Sequence, residues 1–468
     1  MISLKPLMLS GREVWPLVEG GKGVAATNGL SSGAWAAAGG IGTISGVNNA
    51  LIDDNGEWVP LIYQGKTRIE RHQELINYSI AAGISQARIG HDVSRGEGRL
   101  HINVLWEMGG CERVLHGVLK GAKGLIHGIT CGAGMPYRLA EIAADYNVYY
   151  YPIVSSARAF NALWKRAYSR VSDWLGGVVY EDPWRAGGHN GLSNSEDPTS
   201  PEPPMPRVQA LRNTMRGFGL DETPIVMAGG VWHLNDWADW IDNPELGPIV
   251  FQFGTRPLLT KESPIPESWK QRLLQLDEGD VLLHRFSPTG FYSSAVYNDF
   301  LQELVGRSER QAAFAKSADA ENGLTAELTV GGRGRTVFVK PEDAEKIANW
   351  TAAGFSQAMK TPDDTLIYVA PDKMREIKRD QADCMGCLSV CKFSNWSDKD
   401  ADFSTGKLPD PRSFCIQKTL QDIAHQGDVE NELMFAGHNV YRFKQDPFYS
   451  NGFVPTVRQL VDRIVTGS

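Results

Sequence analysis

The chain has 468 residues, of which 42% are hydrophobic and 22% charged, and its formal net charge is −8. This composition is typical of a globular protein that buries a large core. The acidic balance argues against the basic surfaces that bind nucleic acids or anionic membranes, and no apolar run approaches the roughly 20 residues that span a bilayer. The first residues show no signal-peptide pattern, so we expect a cytoplasmic protein.

Short apolar runs without polar alternation recur through the first half of the chain and predict strands. They cover residues 39–45, 99–106, 123–129, 147–154, 175–181, 223–230 and 247–254. Helical patterns separate several of them, for example at 135–146 and 156–171. Buried strands separated by helices predict a parallel sheet that is covered on both faces. Seven or eight such units favour a (β/α)8 TIM barrel over an open doubly wound sheet.

The pattern changes after residue 262. Residues 267–276 and 294–306 predict helices that close the barrel, so we place a first domain at 1–305. A smaller C-terminal extension, 306–468, contains a predicted strand pair on either side of residues 331–334. Residues 193–206 are rich in Pro, Ser and acidic residues, which predicts a surface loop, and its place after a strand end suggests a lid over the barrel.

Glycines gather at the ends of the predicted strands. They let the backbone approach a ligand closely and direct N–H groups at a phosphate. In barrels, the loops after strands seven and eight commonly bind a phosphate. Here these strands end in "MAGG" and "FQFGT", and we favour a phosphate site there over tight turns without a ligand. The glycines concerned are Gly20, Gly21, Gly187, Gly188, Gly229, Gly230 and Gly254, and the last is followed by Thr255.

His189 lies in "RAGGHNG", directly after the predicted strand at 175–181. Catalytic residues of barrels occupy this position, and the flanking glycines leave space around the ring. An imidazole titrates near neutral pH, so it can take or give a proton. We therefore predict a catalytic role for His189 rather than that of a hydrogen-bonded bystander.

Six motifs in one order resemble a known family. They are "PLVEGGKGV" (16–24), "AAAGGIGTISG" (36–46), "INV" (102–104), "AGGHNG" (186–191), "PIVMAGGV" (224–231) and "FQFGTRPLLTKES" (251–263). Together they are similar to the nitronate monooxygenase, or 2-nitropropane dioxygenase, family of FMN-dependent TIM-barrel oxidoreductases. That family also contains FMN-dependent enoyl-ACP reductases and NAD(P)H:quinone reductases.

The resemblance implies an FMN that lies across the top of the barrel. His189 matches the catalytic histidine of the family, and Lys22 stands where the family usually has Met, which adds a cation near the flavin. Gly20 and Gly21 are expected to pack near the isoalloxazine ring, and Asn103 to hydrogen-bond the flavin. The residues expected around the ribityl phosphate are Gly187, Gly188, Gly229, Gly230, Gly254 and Thr255, with Gln252 lining the site.

Four of the six cysteines cluster near the end of the chain. Cys384, Cys387 and Cys391 form a C-x2-C-x3-C motif, and Cys415 follows. This arrangement favours a [4Fe–4S] cluster over structural zinc, which more often uses two separated C-x2-C pairs, and over three thiols without a metal. The triplet is similar to that of the iron–sulfur flavin barrels of the dienoyl-CoA reductase branch of the old yellow enzymes. No second dinucleotide-binding motif is present, so electrons passing through a cluster would need a partner protein.

Three functions follow from the resemblance and the cysteines. The first is oxidation of a nitronate or a small activated carbon acid with reduced-flavin and O2 chemistry. The alternative is an NAD(P)H-dependent enoyl-thioester or quinone reductase that uses the same FMN and histidine. The third is a non-catalytic scaffold whose C-terminal extension docks a partner. We expect a small-molecule substrate and no nucleic-acid or membrane partner, and a homo-oligomer is compatible with the sequence.

Overall fold

The computed structural model describes residues 4–331, 334–398 and 404–467. Its centre is a closed barrel in which each strand runs parallel to its neighbours. The eighth strand pairs with the first, with Phe251 opposite Leu17, and so closes the barrel. The predicted TIM barrel is therefore confirmed, and the open-sheet alternative is wrong. In chain order the barrel strands are Leu17–Glu19, Ile41–Ser45, Arg99–Leu105, Gly128–Gly132, Tyr149–Val154, Val178–Glu181, Ile225–Ala228 and Ile249–Phe253.

Helices cover the outside of this barrel. The longest, Arg68–Ser94, begins with a capping box in which the side chain of Thr67 accepts the N–H of Glu70 and the Glu70 side chain accepts the N–H of Thr67. It packs closely on the first helix. A Cβ added to Gly29 would lie only 2.3 Å from the carbonyl oxygen of Gln86, so this close approach requires glycine. The helices between the barrel strands are Gly29–Ala37, Arg68–Ser94, Cys111–Gly121, Leu139–Asp145, Ala157–Arg166 and Pro204–Arg216.

The barrel interior is filled from its N-terminal end. A hairpin of Leu7–Leu9 and Arg12–Val14 closes that end, and Leu9 packs among the inward-facing barrel valines. The hydroxyl of Ser10 hydrogen-bonds His101 Nε2 and the Tyr151 hydroxyl, both at 2.8 Å, which satisfies polar groups that the barrel buries. Because side chains alternate along a strand, residues two positions further on also face inward, toward the open end.

The segment that follows the barrel differs from the prediction at one point. Helix Glu267–Leu273 confirms the helical pattern at 267–276. The predicted helix at 294–306 instead begins as a strand, Ser293–Val296, which pairs with Val281–His284 and with the short strand Gly188–His189. Asn298 then caps the helix Asp299–Glu309 by accepting the N–H of Leu301.

The C-terminal extension has its own small core, which includes Val339, Ile347 and Leu366. The division of the chain at residues 305 and 306 stays a prediction. Within the described ranges no helix is both long enough and apolar enough to cross a membrane. The strands of the extension are Gln311–Ala313, Ala326–Val330, Arg335–Val339, Gln357–Lys360, Thr365–Val369, Val390–Cys391 and Trp396–Ser397, and its helices are Pro341–Ala352, Pro371–Ala382, Ile416–Gln426, Arg442–Gln445 and Val457–Thr466.

A buried ion pair fastens the end of the extension to the barrel. Arg256, which follows the eighth barrel strand, is 1% exposed, and its Nη2 lies 3.4 Å from Asp446 Oδ2. The same guanidinium donates to the carbonyl oxygen of Trp232 at 2.6 Å and to the Tyr449 hydroxyl at 3.1 Å. Burial alone would raise the pKa of Asp446, but the donors around it, with Arg256 among them, lower it.

Replacing Asp446 with Asn should destabilise the fold by about 3 kcal/mol, because it leaves the Arg256 charge buried without a counter-charge. Denaturant unfolding at neutral pH measures this loss. Because folding lowers the pKa of Asp446, the stability that its charge contributes is fully present above the pKa that Asp446 has in the unfolded chain. This stability is lost as the pH falls through the pKa of the folded state. The difference in unfolding free energy between wild type and variant should therefore become smaller in acid.

Asp242→Asn is the matched control, since Asp242 pairs with Lys5 at 2.8 Å but both side chains are about two-thirds exposed (67% and 65%). It should leave the unfolding free energy unchanged within error. Equal losses in the two variants would contradict the role assigned to the buried pair.

Candidate active site

A cavity of about 400 Å³ lies at the carboxyl ends of the barrel strands. This is the end at which TIM-barrel enzymes carry their chemistry. Predicted site residues from four separate stretches of the chain meet there, although up to about 230 positions separate them in the sequence. Those predicted from the sequence that line the cavity are Gly21, Lys22, Asn103, Gly187, Gly188, His189, Gln252, Gly254 and Thr255.

Three predicted glycines lie behind the cavity wall instead. Gly20 packs on Gln252, since a Cβ at Gly20 would stand 3.0 Å from Gln252 Nε2. Gly229 and Gly230 have φ values of +89° and +83° and face the loop that follows the sixth barrel strand. These positions shape the wall. The predicted contact of Gly20 with the isoalloxazine ring and those of Gly229 and Gly230 with the phosphate stay predictions.

His189 is held in place from three sides. Its backbone pairs with Ser293, its Nε2 lies 2.7 Å from the Ser287 hydroxyl, and its ring meets Phe435 edge-on at 5.7 Å between centroids. The Ser287 hydroxyl continues to Thr289 Oγ1 at 2.8 Å. Burial lowers the pKa of His189 to about 4, so the imidazole is neutral at physiological pH.

A second histidine lies close to the first. Burial, with a smaller contribution from His189, lowers the pKa of His284 to about 4. The Nδ1 of His284 accepts the N–H of Phe286, which leaves Nε2 as the protonated nitrogen, and that atom is buried without a partner in the described chain. The sequence analysis did not single out His284 or Ser287. They belong to a hairpin that was not predicted, because the start of its second strand was predicted to be part of the helix at 294–306.

Lys22 is the single Lys or Arg side chain among the cavity-lining residues that the structure describes. Its ammonium donates to the carbonyl oxygen of Gly20 at 2.6 Å. Burial lowers the pKa of Lys22 to about 8, and the buried carboxyl of Glu19 opposes that shift. Lys22 therefore places a cation at the cavity wall. Its contact with the flavin ring stays a prediction.

The rim of the cavity is shaped by residues that leave no space for larger side chains. A Cβ at Gly21 would lie 2.4 Å from Asn103 Cβ, so only glycine fits this position. Asn103 accepts a hydrogen bond from Thr130 at 2.8 Å, which fixes the orientation of its amide. Gly254 differs, because a Cβ there would meet nothing within 4 Å and would project into the cavity.

Glu181 also lines the cavity, and the sequence analysis missed it. It is the last residue of the sixth barrel strand, so its position at a strand end was the available signal. Burial raises the pKa of Glu181 to about 8, and the neighbouring carboxylate of Asp182 adds to the shift. The cavity therefore holds a carboxyl group that is mostly protonated at neutral pH.

The C-terminal extension covers the cavity. Its lining residues include Cys387, Leu388, Ile416, Gln417, Leu420, Phe435 and Ala436. The N–H of Gly437 donates to Thr255 Oγ1 at 2.8 Å, which ties this cover to the eighth barrel strand. The predicted lid is therefore in the wrong place: no residue of 193–206 lines the cavity, and an ion pair of Glu196 with Arg207 at 2.7 Å holds that loop to the side.

The four clustered cysteines lie against this cover. Cys384, Cys387 and Cys391 are buried, Cys415 is half-buried, and all four are free thiols. Burial raises the pKa of Cys387, and the three other thiols raise it further, which shows that they are near one another. Over the described ranges, however, no three His, Cys, Asp or Glu side chains are arranged to hold a metal ion. The predicted metal site is therefore not shown by the described residues and stays a prediction.

A family model described as nitronate monooxygenase matches residues 118–379. This range is more than half of the chain and includes the loop that carries His189. The chain belongs to the nitronate monooxygenase family. A nitronate monooxygenase family protein is an FMN-dependent oxidoreductase, which sets aside the alternative of a non-catalytic scaffold.

Solved structures agree with this fold at low sequence identity. FabK from Thermotoga maritima is 13% identical, with a TM-score of 0.51 over 96% of this chain and 91% of that chain. A mutant of the same FabK is 12% identical, with a TM-score of 0.50 over 97% and 92%. The nitroalkane oxidase from Streptomyces ansochromogenes is 17% identical, with a TM-score of 0.42 over 62% and 78%, which is too distant to support an argument. No curated protein matches the sequence.

The residues of this cavity fit FMN. The polar side chains of Asn103 and Gln252 and the space beside Gly254 provide donors, acceptors and close backbone approach. We expect Gly187, Gly188, Gly254 and Thr255 to hold the phosphate. When bound, FMN supplies hydride and single-electron chemistry, and the protein supplies binding, orientation and proton transfer.

Replacing Gly254 with Leu should weaken FMN binding at least about tenfold without lowering the midpoint of thermal unfolding, because the new side chain occupies the cavity and meets no protein atom near its Cβ. FMN content after purification and titration of the apoprotein measure the loss. Gly217→Leu, at an exposed helix end where a Cβ has ordinary contacts, is the control and should retain FMN. Full FMN content in the Gly254 variant would contradict this placement.

Proposed function

We propose that the protein oxidises a nitronate, or a small activated carbon acid from which His189 removes the proton as the base, with FMN as cofactor. The observation that supports this most directly is the neutral His189, which faces the cavity and is shielded from bulk solvent. A base must be unprotonated before it can accept a proton, and His189 meets this condition at any pH well above 4.

The hydrogen bond to Ser287 orients the imidazole for this step. Ser287 is itself paired with Thr289, so its hydroxyl can donate to His189 Nε2 or accept from it. The proton removed from the substrate carbon would reside on His189, and Ser287 would keep the ring aligned while it is charged. Phe435 and Phe291, which also line the cavity, exclude water from the neighbourhood of the base.

The alternative is reduction of an enoyl thioester or a quinone with NAD(P)H. It uses the same cofactor and histidine but needs a proton donor at the substrate. The protonated carboxyl of Glu181 is the observation that favours it, since this group is the one acid among the described lining residues. NAD(P)H oxidation that an enoyl thioester or a quinone stimulates, in the absence of a nitronate, would identify this activity.

His189→Asn should reduce kcat/KM for a neutral carbon acid such as nitroethane by about 10²- to 10⁴-fold, because the amide cannot act as a base, whereas ethylnitronate, which has already lost that proton, should be affected much less. In the wild-type enzyme kcat/KM should decline only as the pH falls through about 4, where the imidazole becomes protonated. Steady-state kinetics with nitroethane, with ethylnitronate and with an enoyl thioester, each across pH, measure both effects.

His91→Asn is the control, since His91 lies in the last turn of helix Arg68–Ser94 and does not line the cavity. It should retain activity, and both variants should retain FMN. Unchanged turnover in His189→Asn would refute the assigned base. A colourless wild-type protein that releases no FMN would refute the flavin site itself.

We also propose that the four cysteines hold a [4Fe–4S] cluster. Three buried thiols and one half-buried thiol lie within electrostatic range of one another, and none is consumed by a disulfide. The C-x2-C-x3-C triplet with one distant cysteine favours a cluster over structural zinc, which more often uses two separated C-x2-C pairs. Electrons delivered through it would come from a partner protein that donates one electron at a time.

Protein purified without oxygen should contain iron and acid-labile sulfide, and Cys391→Ser should lose both. Elemental analysis and the electron paramagnetic resonance of the dithionite-reduced protein measure the cluster. Cys111→Ala is the control, because Cys111 is a buried cysteine outside the four. Zinc without iron would support the alternative metal, and wild-type protein with neither metal would refute the proposal.

A further inference from the structure

Gln417 belongs to the C-terminal extension and lines the cavity, and the proposed chemistry assigns it no role. It lies in the first turn of helix Ile416–Gln426 and is only 2% exposed. Ile416 and Leu420, on the same helix, line the cavity with it. Gln417 is the one amide, hydroxyl or charged side chain that the described part of the extension brings to this cavity.

The Gln417 amide is held by neighbours at one end. Its Oε1 accepts from Asn48 Nδ2 at 2.7 Å, and Asn48 Oδ1 in turn accepts the hydroxyl of Ser79 at 2.8 Å. The backbone of Gln417 is fixed as well. Burial raises the pKa of the Cys387 thiol, and a hydrogen bond from the Gln417 N–H to that thiol opposes the rise. The position of the amide is therefore set by the protein.

The other end of the same amide has no protein partner. Gln417 Nε2 is buried, and no acceptor in the described ranges reaches it. An amide nitrogen carries two N–H donors, and a buried donor that stays unpaired is costly, so such groups are ordinarily satisfied by a ligand or by water. Because Gln417 lines the cavity, a molecule bound there can supply the missing acceptor.

The part of the extension that carries Gln417 also packs on His189. Thr419 Oγ1, two residues further along the helix, accepts the N–H of Leu433 at 2.7 Å. Phe435 follows two residues later, and its ring meets the His189 ring edge-on at 5.7 Å between centroids. This connected part of the cover therefore holds the Gln417 amide at the same cavity as the imidazole.

The location of Gln417 favours the substrate over the cofactor as its partner. The groups that fit FMN, among them Asn103, Gln252 and Gly254, belong to the barrel rim. A flavin held by the rim leaves the space under the cover for a substrate, and Gln417 faces the cavity from the cover.

We propose that Gln417 is a substrate-binding residue whose Nε2 donates a hydrogen bond to an oxygen that gains negative charge in the reaction, an inference that rests on the proposed function. When His189 removes the proton from the carbon beside a nitro group, the electron pair of the C–H bond moves onto the nitro oxygens. Hydrogen bonds to a charged acceptor are stronger than those to a neutral one, so the fixed N–H stabilises this charge as it develops.

The same donor suits the alternative substrate. When a hydride adds to the β-carbon of an enoyl thioester, an electron pair moves onto the thioester carbonyl oxygen. Both substrates therefore share an oxygen that becomes an anion. The apolar neighbours Leu388, Ile416 and Leu420 favour an aliphatic rather than a charged substituent beside that oxygen.

The experiment compares two Gln417 variants with wild-type enzyme that contains FMN. Gln417→Met keeps the length of the side chain and removes the donor, so kcat/KM for nitroethane should fall about ten- to a hundredfold, the effect of losing a hydrogen bond to a charged group. Ethylnitronate arrives with its charge, so its loss should appear as a higher KM. Crotonyl-CoA with NADPH replaces nitroethane if wild type turns over that substrate instead.

Gln417→Glu keeps an acceptor for Asn48, so it changes the donor without breaking the bond that holds the side chain. A protonated carboxyl still donates, whereas a carboxylate only accepts and repels the developing anion. The ratio of wild-type to variant kcat/KM should therefore increase as the pH rises through the pKa of the introduced carboxyl. The ionisable groups of the cavity, Lys22, Glu181, His189 and Cys387, are present in both proteins, so the ratio isolates the introduced group.

Gln426→Met is the matched control, because Gln426 is exposed at the end of the same helix and does not line the cavity. It should match wild type in kcat/KM at every pH. Titration of each apoprotein with FMN, followed by flavin fluorescence, should give the same dissociation constant for all three variants and wild type.

Unchanged kcat/KM in Gln417→Met with full FMN content would overturn the proposal, as would a Gln417→Glu ratio that does not depend on pH. A loss of FMN affinity that accounts for the loss of activity would also overturn it, since the amide would then serve the cofactor. A wild-type enzyme that binds FMN but turns over neither nitroethane nor crotonyl-CoA is a different result, because it contradicts the proposed function on which the inference rests.

Discussion

Closure of eight parallel strands into a barrel is the constraint on which the rest of this structure depends. The pairing of the eighth strand with the first brings every carboxyl end to one rim. This closure brings together four cavity residues that are far apart in the sequence, namely Lys22, Asn103, His189 and Gln252. Among the described residues, the N-terminal hairpin and the Ser10 hydrogen bonds close the opposite end, and the cavity lies at this rim.

The rim is incomplete without the C-terminal extension. Phe435 and Ala436 stand over the loop that carries His189, and Gln417 accepts a hydrogen bond from Asn48 at 2.7 Å. Such a cover needs an anchor, and the buried pair of Arg256 and Asp446 supplies one at the far end of the extension. The burial of a charge is tolerated here because every donor of the guanidinium that is described meets an oxygen.

The sequence predicted the barrel well, because buried parallel strands differ clearly in pattern from the helices that separate them. It missed the first barrel strand, Leu17–Glu19, which is only three residues long and merges with the glycine loop after it. Local motifs pointed to His189 and to four of the seven predicted glycines that the structure places at the cavity, and their roles there stay predictions. Glu181 was missed, although its position at the end of a predicted strand was a signal, because only the folded barrel shows that its side chain lines the cavity. The cover was assigned to the wrong segment, since the packing of the extension depends on contacts across more than one hundred residues, such as that of Gly437 with Thr255.

Both cysteine-bearing segments run directly into the cavity wall. Cys387 is followed by Leu388, and Cys415 by Ile416 and Gln417, and apart from Cys415 these residues line the cavity. The cover is therefore built at the barrel mouth by the same two segments that carry the thiols. If a bound cofactor leaves only when those segments separate from the barrel, its residence time would be set by the opening rate of the cover, and its affinity by the contacts at the rim. The two quantities can change independently within one fold.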